Sequence, residues 1–324
     1  MGMSVRCIKE TVAIIGALNC GGSTQTGNVY SGLATSGVSV SLPYTGGNGG
    51  FQATQVYNSL GVTGLTATLS SVLIANGSGN LVFTIAGTAS ATGTANFAVS
   101  VGGQSCSFTV AVQVNLVALY PANSVFCASG PTAIVDVTNP TTGKIWMDRN
   151  LGASQAATSS TDAAAYGDLY QWGRGNDGHQ CRTSATTTTL SATDTPANAN
   201  FIRAPSAPRD WRSPQNSNLW QGVNGVNNPC PSGYRIPTET EINAERLSWV
   251  ANTGTGAFTS PLKLPMAGDR DYTDGSLGGS VGAYWSSTVI FPNSSTKSLR
   301  FVSNNAYMDQ LSRAYGFTVR CLKD

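Results

Sequence analysis

The residues able to do chemistry are few and scattered. One local group of acids, Asp269, Asp271 and Asp274, stands beside Gly275. Oxygen ligands so spaced in a turn can hold calcium, with amide or backbone carbonyls completing the shell, although this is not EF-hand spacing. The plainer reading is a solvated turn in which Asp269 pairs with Arg270 or Arg313. The single histidine, His179, has a ring whose ordinary pKa lies near neutrality, as a general base needs. Its neighbours Gly178, Gln180, Cys181 and Arg182 supply neither a serine nucleophile at defined spacing nor an acid to orient the ring, so a surface histidine is expected. One histidine and no Cys-x-x-Cys leave a structural zinc site short of ligands.

A third group suits contact rather than reaction. Between Val289 and Ser312 lie Asn293, Ser295, Asn304, Asn305, Tyr307, Asp309 and Gln310. Short amides and hydroxyls around an aromatic are what adaptable recognition surfaces use, tyrosine adding area at small entropy cost. These seven positions are the expected ligand-binding residues if the segment is a recognition surface and not an ordinary loop.

Seven cysteines, at positions 7, 20, 106, 127, 181, 230 and 321, allow one or two staples per domain. Oxidised pairs imply an extracellular setting. Cys20, in the first strand of the front domain, and Cys106, near its last, are placed to tie the sheet edges together. Cys127 and Cys181 either form a second bond or stay as small core residues.

Composition narrows the classes. Charged residues make up 10% of 324, Gly contributes 37, and the formal net charge is +2. Low charge with glycine and small hydroxyl residues suits many short strands joined by turns. No basic cluster interleaved with aromatics is present, so nucleic acid is excluded as a partner. No apolar run approaches the roughly 18 residues of a membrane span, and Val12 to Ile15 after Arg6 and Lys9 is too short for a signal-peptide core. The head Ser4-Val5-Arg6-Cys7-Ile8-Lys9-Glu10 and the tail Thr318-Val319-Arg320-Cys321-Leu322-Lys323-Asp324 share one pattern, hydroxyl-Val-Arg-Cys-apolar-Lys-acid. Repetition of this kind signals modular construction. Residues 1–12 are therefore expected to be the last strand of a preceding copy of the back domain, in a larger exported protein.

The elements that must position these groups fall into two blocks. Residues 17–120 alternate apolar and polar at 39–42, 66–69, 81–85, 95–99 and 107–112, with Gly/Asn turns between them, which predicts an all-β sandwich. A boundary is expected near 117–130. Residues 130–324 open with a hairpin whose strands, 133–137 and 144–147, flank Asn139-Pro140-Thr141-Thr142-Gly143. A helix is predicted over 162–172, ended by Gly173, then a polar surface insertion over 182–199. A second helix follows Pro237, with Thr238 and Glu241 as a capping box and Ile242, Leu247 and Val250 as its apolar positions. Strands near 262–264, 282–287, 298–302 and 315–321 complete an α+β domain.

Five blocks of the back domain carry a family resemblance: Gly143 to Gly152, Tyr166 to Gly173, Cys230 to Thr238, Tyr284 to Thr288, and Arg313 to Cys321. Together they resemble the Fibrobacter succinogenes major paralogous domain. The resemblance implies a C-type-lectin-like fold related to that of formylglycine-generating enzymes, a surface or secreted setting, and no catalytic residues. It also implies a bond between Cys230, before the second helix, and Cys321 in the terminal strand. The front domain, at Pro43 to Gly50 and Gly61 to Ala67, resembles the glycine-rich Ig-like repeats of large Bacteroidetes surface proteins.

The formylglycine-generating reaction needs a pair of thiolates in one pocket to hold copper, and no cysteine lies between Trp285 and Tyr315. The motifs shared with that family instead read as scaffold: Arg235 pairing with an internal acid, Pro237 starting the helix, Trp285 filling the core. The Glu-Pro-Asn and Trp-Asn-Asp motifs of calcium-dependent lectins are missing, so no cofactor is expected beyond calcium at the aspartates. The expected function is a non-catalytic, extracellular adhesin-type module. Its sandwich acts as spacer and its lectin-like domain as binding or display head, with loops at 174–229 and 289–312 exposed to a polysaccharide or to a host or bacterial surface protein. A structural repeat of a surface fibre, and a phage receptor-binding protein with a diversified C-terminus, are the alternatives.

Overall fold

A computed structural model describes residues 11–128, 130–290 and 295–324. The head motif with Cys7, and Asn293, lie outside the described residues. The chain divides into two compact units between Asn115 and Leu116. The architecture is predominantly β, with several distinct sheets and a small helical segment toward the C-terminus. Among the described residues no helix is long and apolar enough to cross a membrane.

In the front unit, one sheet runs Ala17–Leu18, Val38–Gly47, Gly77–Gly87, Leu65–Leu69, Gln55–Asn58, with Thr24–Thr26 also paired to Val38–Gly47. The other runs Val29–Tyr30, Gln104–Gln113, Gly93–Val101, Leu60–Gly61. Alternation sends Val40, Leu42, Phe83 and Ile85 of the first sheet and Phe97, Val99, Phe108 and Val110 of the second into one shared core. Phe108 packs against Phe83 at 5.6 Å and Phe97 at 5.2 Å between ring centres. Cys20 bonds to Cys106, but from a single 3-10 turn, Cys20–Gly22, and not from a strand. No Asp, Glu, Lys, Arg or His occurs from Thr11 to Val135. With no ion pair possible along that stretch, burial, hydrogen bonding and the Cys20–Cys106 disulfide hold it together.

The rear unit carries three larger sheets. The first joins Asp136–Thr138, Ile145–Met147, Leu322–Lys323 and Tyr234–Arg235. The second joins Tyr170–Gln171, Gly316–Phe317, Asp269–Arg270 and Leu277–Gly278. The third is the antiparallel set Gly282–Ile290, Ser295–Val302 and Asn305–Leu311. The hairpin turn at 139–143 forms as its residues dictate, with Gly143 at φ 68°. The capping box forms too: Thr238 caps the helix Glu239–Leu247 while Glu241 reaches back to the Thr238 N–H at 2.9 Å. Arg235 holds the same Glu241 through two bonds of 2.8 Å, so the internal acid expected for it is found.

Four expectations are corrected. The helix over 162–172 is only the turn Ala163–Ala165: Asp162 caps it, but Gly167 at φ 68° ends it, and Tyr170–Gln171 pairs with Gly316–Phe317. No strand forms at 262–264, where Lys263 takes a left-handed φ of 47°. The segment 289–312 is not an exposed loop, because its described part is mostly the hairpin of Ser295–Val302 and Asn305–Leu311. The irregular segment 174–229 is not mainly a surface feature either, since Arg174, His179, Phe201, Trp211, Leu219 and Trp220 are all buried.

Buried irregular backbone needs donors and acceptors from outside itself, and long side chains supply them here. Arg174 donates to the Asn200 carbonyl at 2.9 Å, and Arg313 to that of Asn216 at 3.0 Å. The Trp211 indole donates to the Trp172 carbonyl at 2.7 Å, and the Trp220 indole to that of Asn227 at 3.0 Å. Arg320, fully buried without an acid in contact, donates to the carbonyls of Leu262 at 2.7 Å and Met147 at 3.2 Å. Cys127–Cys181 and Cys230–Cys321 bring the disulfides among the described residues to three, a set that fits an oxidising compartment.

Candidate functional site

The third sheet of the rear unit gathers most of the groups read as recognition residues. Ser295–Val302 pairs with Asn305–Leu311 so that Arg300 lies opposite Tyr307, Ser298 opposite Asp309, and Lys297 opposite Gln310. Directly opposed residues of an antiparallel pair share a face. Arg300 and Tyr307 therefore stand side by side, with Tyr307 42% exposed.

Arg300 joins two groups that are separate in sequence. Its Nη2 lies 3.5 Å from Oδ2 of Asp269, and its Nη1 3.7 Å from Oδ2 of Asp309. The guanidinium also sits 5.9 Å from the Phe317 ring centre. Tyr315 stacks on Phe317 at 5.3 Å and meets Tyr272 edge-on at 4.6 Å, with Arg209 5.5 Å from the Tyr272 ring. Tyr272 and Tyr315 are half-buried, so each keeps part of its ring in solvent. The result is a row of aromatic surface beside an acid–guanidinium–acid bridge.

Electrostatics follow from partial burial. Burial pushes the Asp269 carboxyl up, the Arg300 charge pulls it back, and nearby Asp271 pushes it up further. The Tyr315 hydroxyl is raised first by burial and then by Asp271 and Tyr272.

The expected residues divide on this frame. Tyr307 and Asp309 flank Arg300. Gln310 and Ser295 bond to each other, Gln310 Nε2 donating to Ser295 Oγ at 2.7 Å, at the other end of the hairpin ladder. Asn304 is at the hairpin turn, Asn305 follows it at the head of the last strand, and both are exposed. Arg300, Tyr272 and Tyr315 join the site without standing out in the sequence. Alternation along 295–302 puts Arg300 on one face and Lys297, paired with Glu239 at 3.2 Å, on the other; the tyrosines sit in segments whose sequence shows only turn or scaffold character.

The aspartates do not act as a set. Asp269 faces Arg300, not Arg270 or Arg313. Asp271 accepts from the Thr273 N–H at 2.7 Å, and Asp274 from the Ser276 N–H at 2.8 Å, each closing its own turn. Among the described residues no group of three His, Cys, Asp or Glu side chains is placed to hold a metal ion. Turn formation engages one oxygen of Asp271 and one of Asp274, and Asp269 is drawn to Arg300 instead. The six described cysteines are all in disulfides.

His179 is buried and not on the surface. It lies beside Asp177, with the Arg174 charge nearby, and is wholly buried. Comparison with known protein families, curated proteins and solved structures returns no match to this chain.

Proposed function

We propose that this chain is a non-catalytic, extracellular adhesin-type module, with the front unit as an Ig-like spacer and the rear unit as a C-type-lectin-like binding head. The reading of the rear unit as a Fibrobacter succinogenes major paralogous domain is part of the same proposal, resting on its five sequence blocks. The ligand we assign is a surface polysaccharide.

The observation that carries this reading is the Arg300 bridge to Asp269 and Asp309 beside Tyr272, Tyr307 and Tyr315. Sugars present flat apolar C–H faces and rings of hydroxyls. Tyrosine offers ring area with two torsions to freeze, and charged groups already held by one another offer hydrogen bonds without reorganisation. The three disulfides support an exported protein.

The test is a glycan array followed by pull-down on insoluble polysaccharides, using the full chain. Arg300→Ala and Tyr307→Ala should each weaken capture about tenfold, a change of roughly 1.4 kcal/mol. Absence of capture on every glycan surface, or capture that both variants leave intact, removes this face as the binding site.

A further inference from the structure

A second site is built around Asp168, away from the tyrosine face. A cleft of 310 Å³ opens beside the Cys127–Cys181 disulfide, walled by Ala128, Ala163, Ala164 and Gly152 and reaching Asp168 and Arg182. Asp168 is only 7% exposed. Its carboxyl lies so close over Gly152 that a Cβ added there would meet it at 2.2 Å, so only glycine leaves it room. Among the described residues no hydrogen-bond donor reaches this carboxyl. Arg182 is nearby, but its Nε and Nη2 are held by the carbonyls of Gly167 and Ala267, both at 2.7 Å, and its guanidinium lies 5.5 Å from the Tyr166 ring.

A largely buried carboxyl with no protein donor must take its hydrogen bonds from whatever enters the cleft it faces. Among the described residues the other buried acids of the rear unit have partners, Glu245 bonding Asn139 and Trp249 and Asp210 bonding Gln215 and Arg313, and half-buried Asp177 bonds Arg174 and His179. Asp177 also borders an opening, but its carboxylate is held by Arg174 and His179, whereas Asp168 meets its cleft without such partners.

We propose that this cleft binds a primary ammonium group, with the Asp168 carboxylate as its counter-ion. An ammonium is compact, carries three donors and ends a slim methylene chain, which suits a cleft walled by alanine and glycine. A neutral hydroxyl would satisfy one oxygen and leave the charge uncompensated.

Two natural sources share this chemistry, a lysine side chain and an amino sugar. The surroundings also fix how binding responds to pH. Burial pushes the Asp168 carboxyl up to about 7, with the Arg182 charge pulling it back. The other titratable neighbours described are Tyr170, donating to Asn176 at 2.8 Å, and Tyr120, donating to the Thr132 carbonyl at 2.8 Å; burial raises both, so each stays protonated. An ammonium ligand selects the ionised carboxyl, so its affinity should rise about tenfold from pH 6 to pH 8 as the ionised fraction grows.

Calorimetric titration of the full chain with propylammonium, N-acetyl-lysine amide, glucosamine and N-acetylglucosamine tests this. Propylammonium should bind and release protons, and N-acetylglucosamine should give no heat. Whichever of the lysine amide and glucosamine binds more tightly identifies the source. Asp168→Asn keeps the shape and should lose binding at least tenfold, and Ala164→Leu narrows the cleft without touching the carboxyl and should do the same. No heat from propylammonium, equal binding of N-acetylglucosamine, or unchanged binding in a folded Asp168→Asn or Ala164→Leu variant overturns the proposal.

Discussion

Nδ1 of His179 lies 2.5 Å from Oδ1 of Asp177, while Nε2 accepts the Gln171 N–H at 2.9 Å. A ring that accepts at one nitrogen and donates from the other is neutral, with its proton on Nδ1. Burial, reinforced by the charge of Arg174, pulls the His179 pKa down to about 4. Burial pushes the Asp177 carboxyl up, but the contacts with His179 and then the Arg174 charge hold it well below the usual range.

The sign of the pH dependence follows. A histidine depressed by folding stabilises fully above its unfolded pKa, near 6.5, and that contribution drains away as pH falls from there toward 4. The loss is on the order of 3 kcal/mol. All six tryptophans lie in the rear unit, so urea unfolding followed by tryptophan emission at pH 7, 5.5 and 4.5 reads this unit alone. His179→Gln should start less stable and vary less across that window; an equal slope in both proteins would assign the acid sensitivity elsewhere.

The front unit should behave oppositely. With no acidic, basic or imidazole side chain from Thr11 to Val135, folding there moves no protons between about pH 3 and pH 9. Calorimetry of the full chain should show one transition that stays in place across that range while the tryptophan-reported one shifts. Trypsin, needing Lys or Arg, should leave a fragment spanning this stretch even after heating; internal cuts within it would show that the sequence is not what meets the protease.

Reduction should be ordered by access. Cys127 is exposed, whereas Cys230 and Cys321 are buried in the core that includes Trp285 and Phe317. Thiolate attack on a disulfide requires contact with a sulfur. Graded reductant with alkylation and peptide mapping should therefore label Cys127 and Cys181 first. Replacing Cys230 and Cys321 together by alanine should cost about 2–5 kcal/mol.

Legibility in the sequence followed how local each interaction is. The front strands show because one face of each meets a single core, so Val38 to Tyr44 and Leu81 to Ile85 alternate in the text as they do in space. The capping box at Thr238 and Glu241 spans three residues and was equally plain. The helix expected at 162–172 had a sound cap in Asp162, yet its continuation was decided by a partner strand 146 residues away, Gly316–Phe317 opposite Tyr170–Gln171. The Arg300 bridge was hidden for the same reason: Asp269 and Asp309 lie 40 residues apart, and only sheet register brings them to one guanidinium.

The helix Glu239–Leu247 offers the sharpest case of a pattern misread, and a test of what anchors it. Leu247 and Val250, expected to pack inward, are 67% and 92% exposed, while Glu245 is wholly buried. The Glu245 carboxylate accepts from Asn139 Nδ2 and, at 3.1 Å, from the Trp249 indole. Asn139 in turn accepts the Thr141 N–H at 2.8 Å, so this acid ties the helix to the hairpin turn at 139–143. Glu245→Ala strands two buried donors and should cost about 2–4 kcal/mol. Leu247→Ala and Val250→Ala should each stay within about 0.5 kcal/mol. Urea midpoints of the three variants decide it: if the leucine or valine change costs more than the glutamate change, the helix is held by its apolar positions after all, and the buried acid is a passenger.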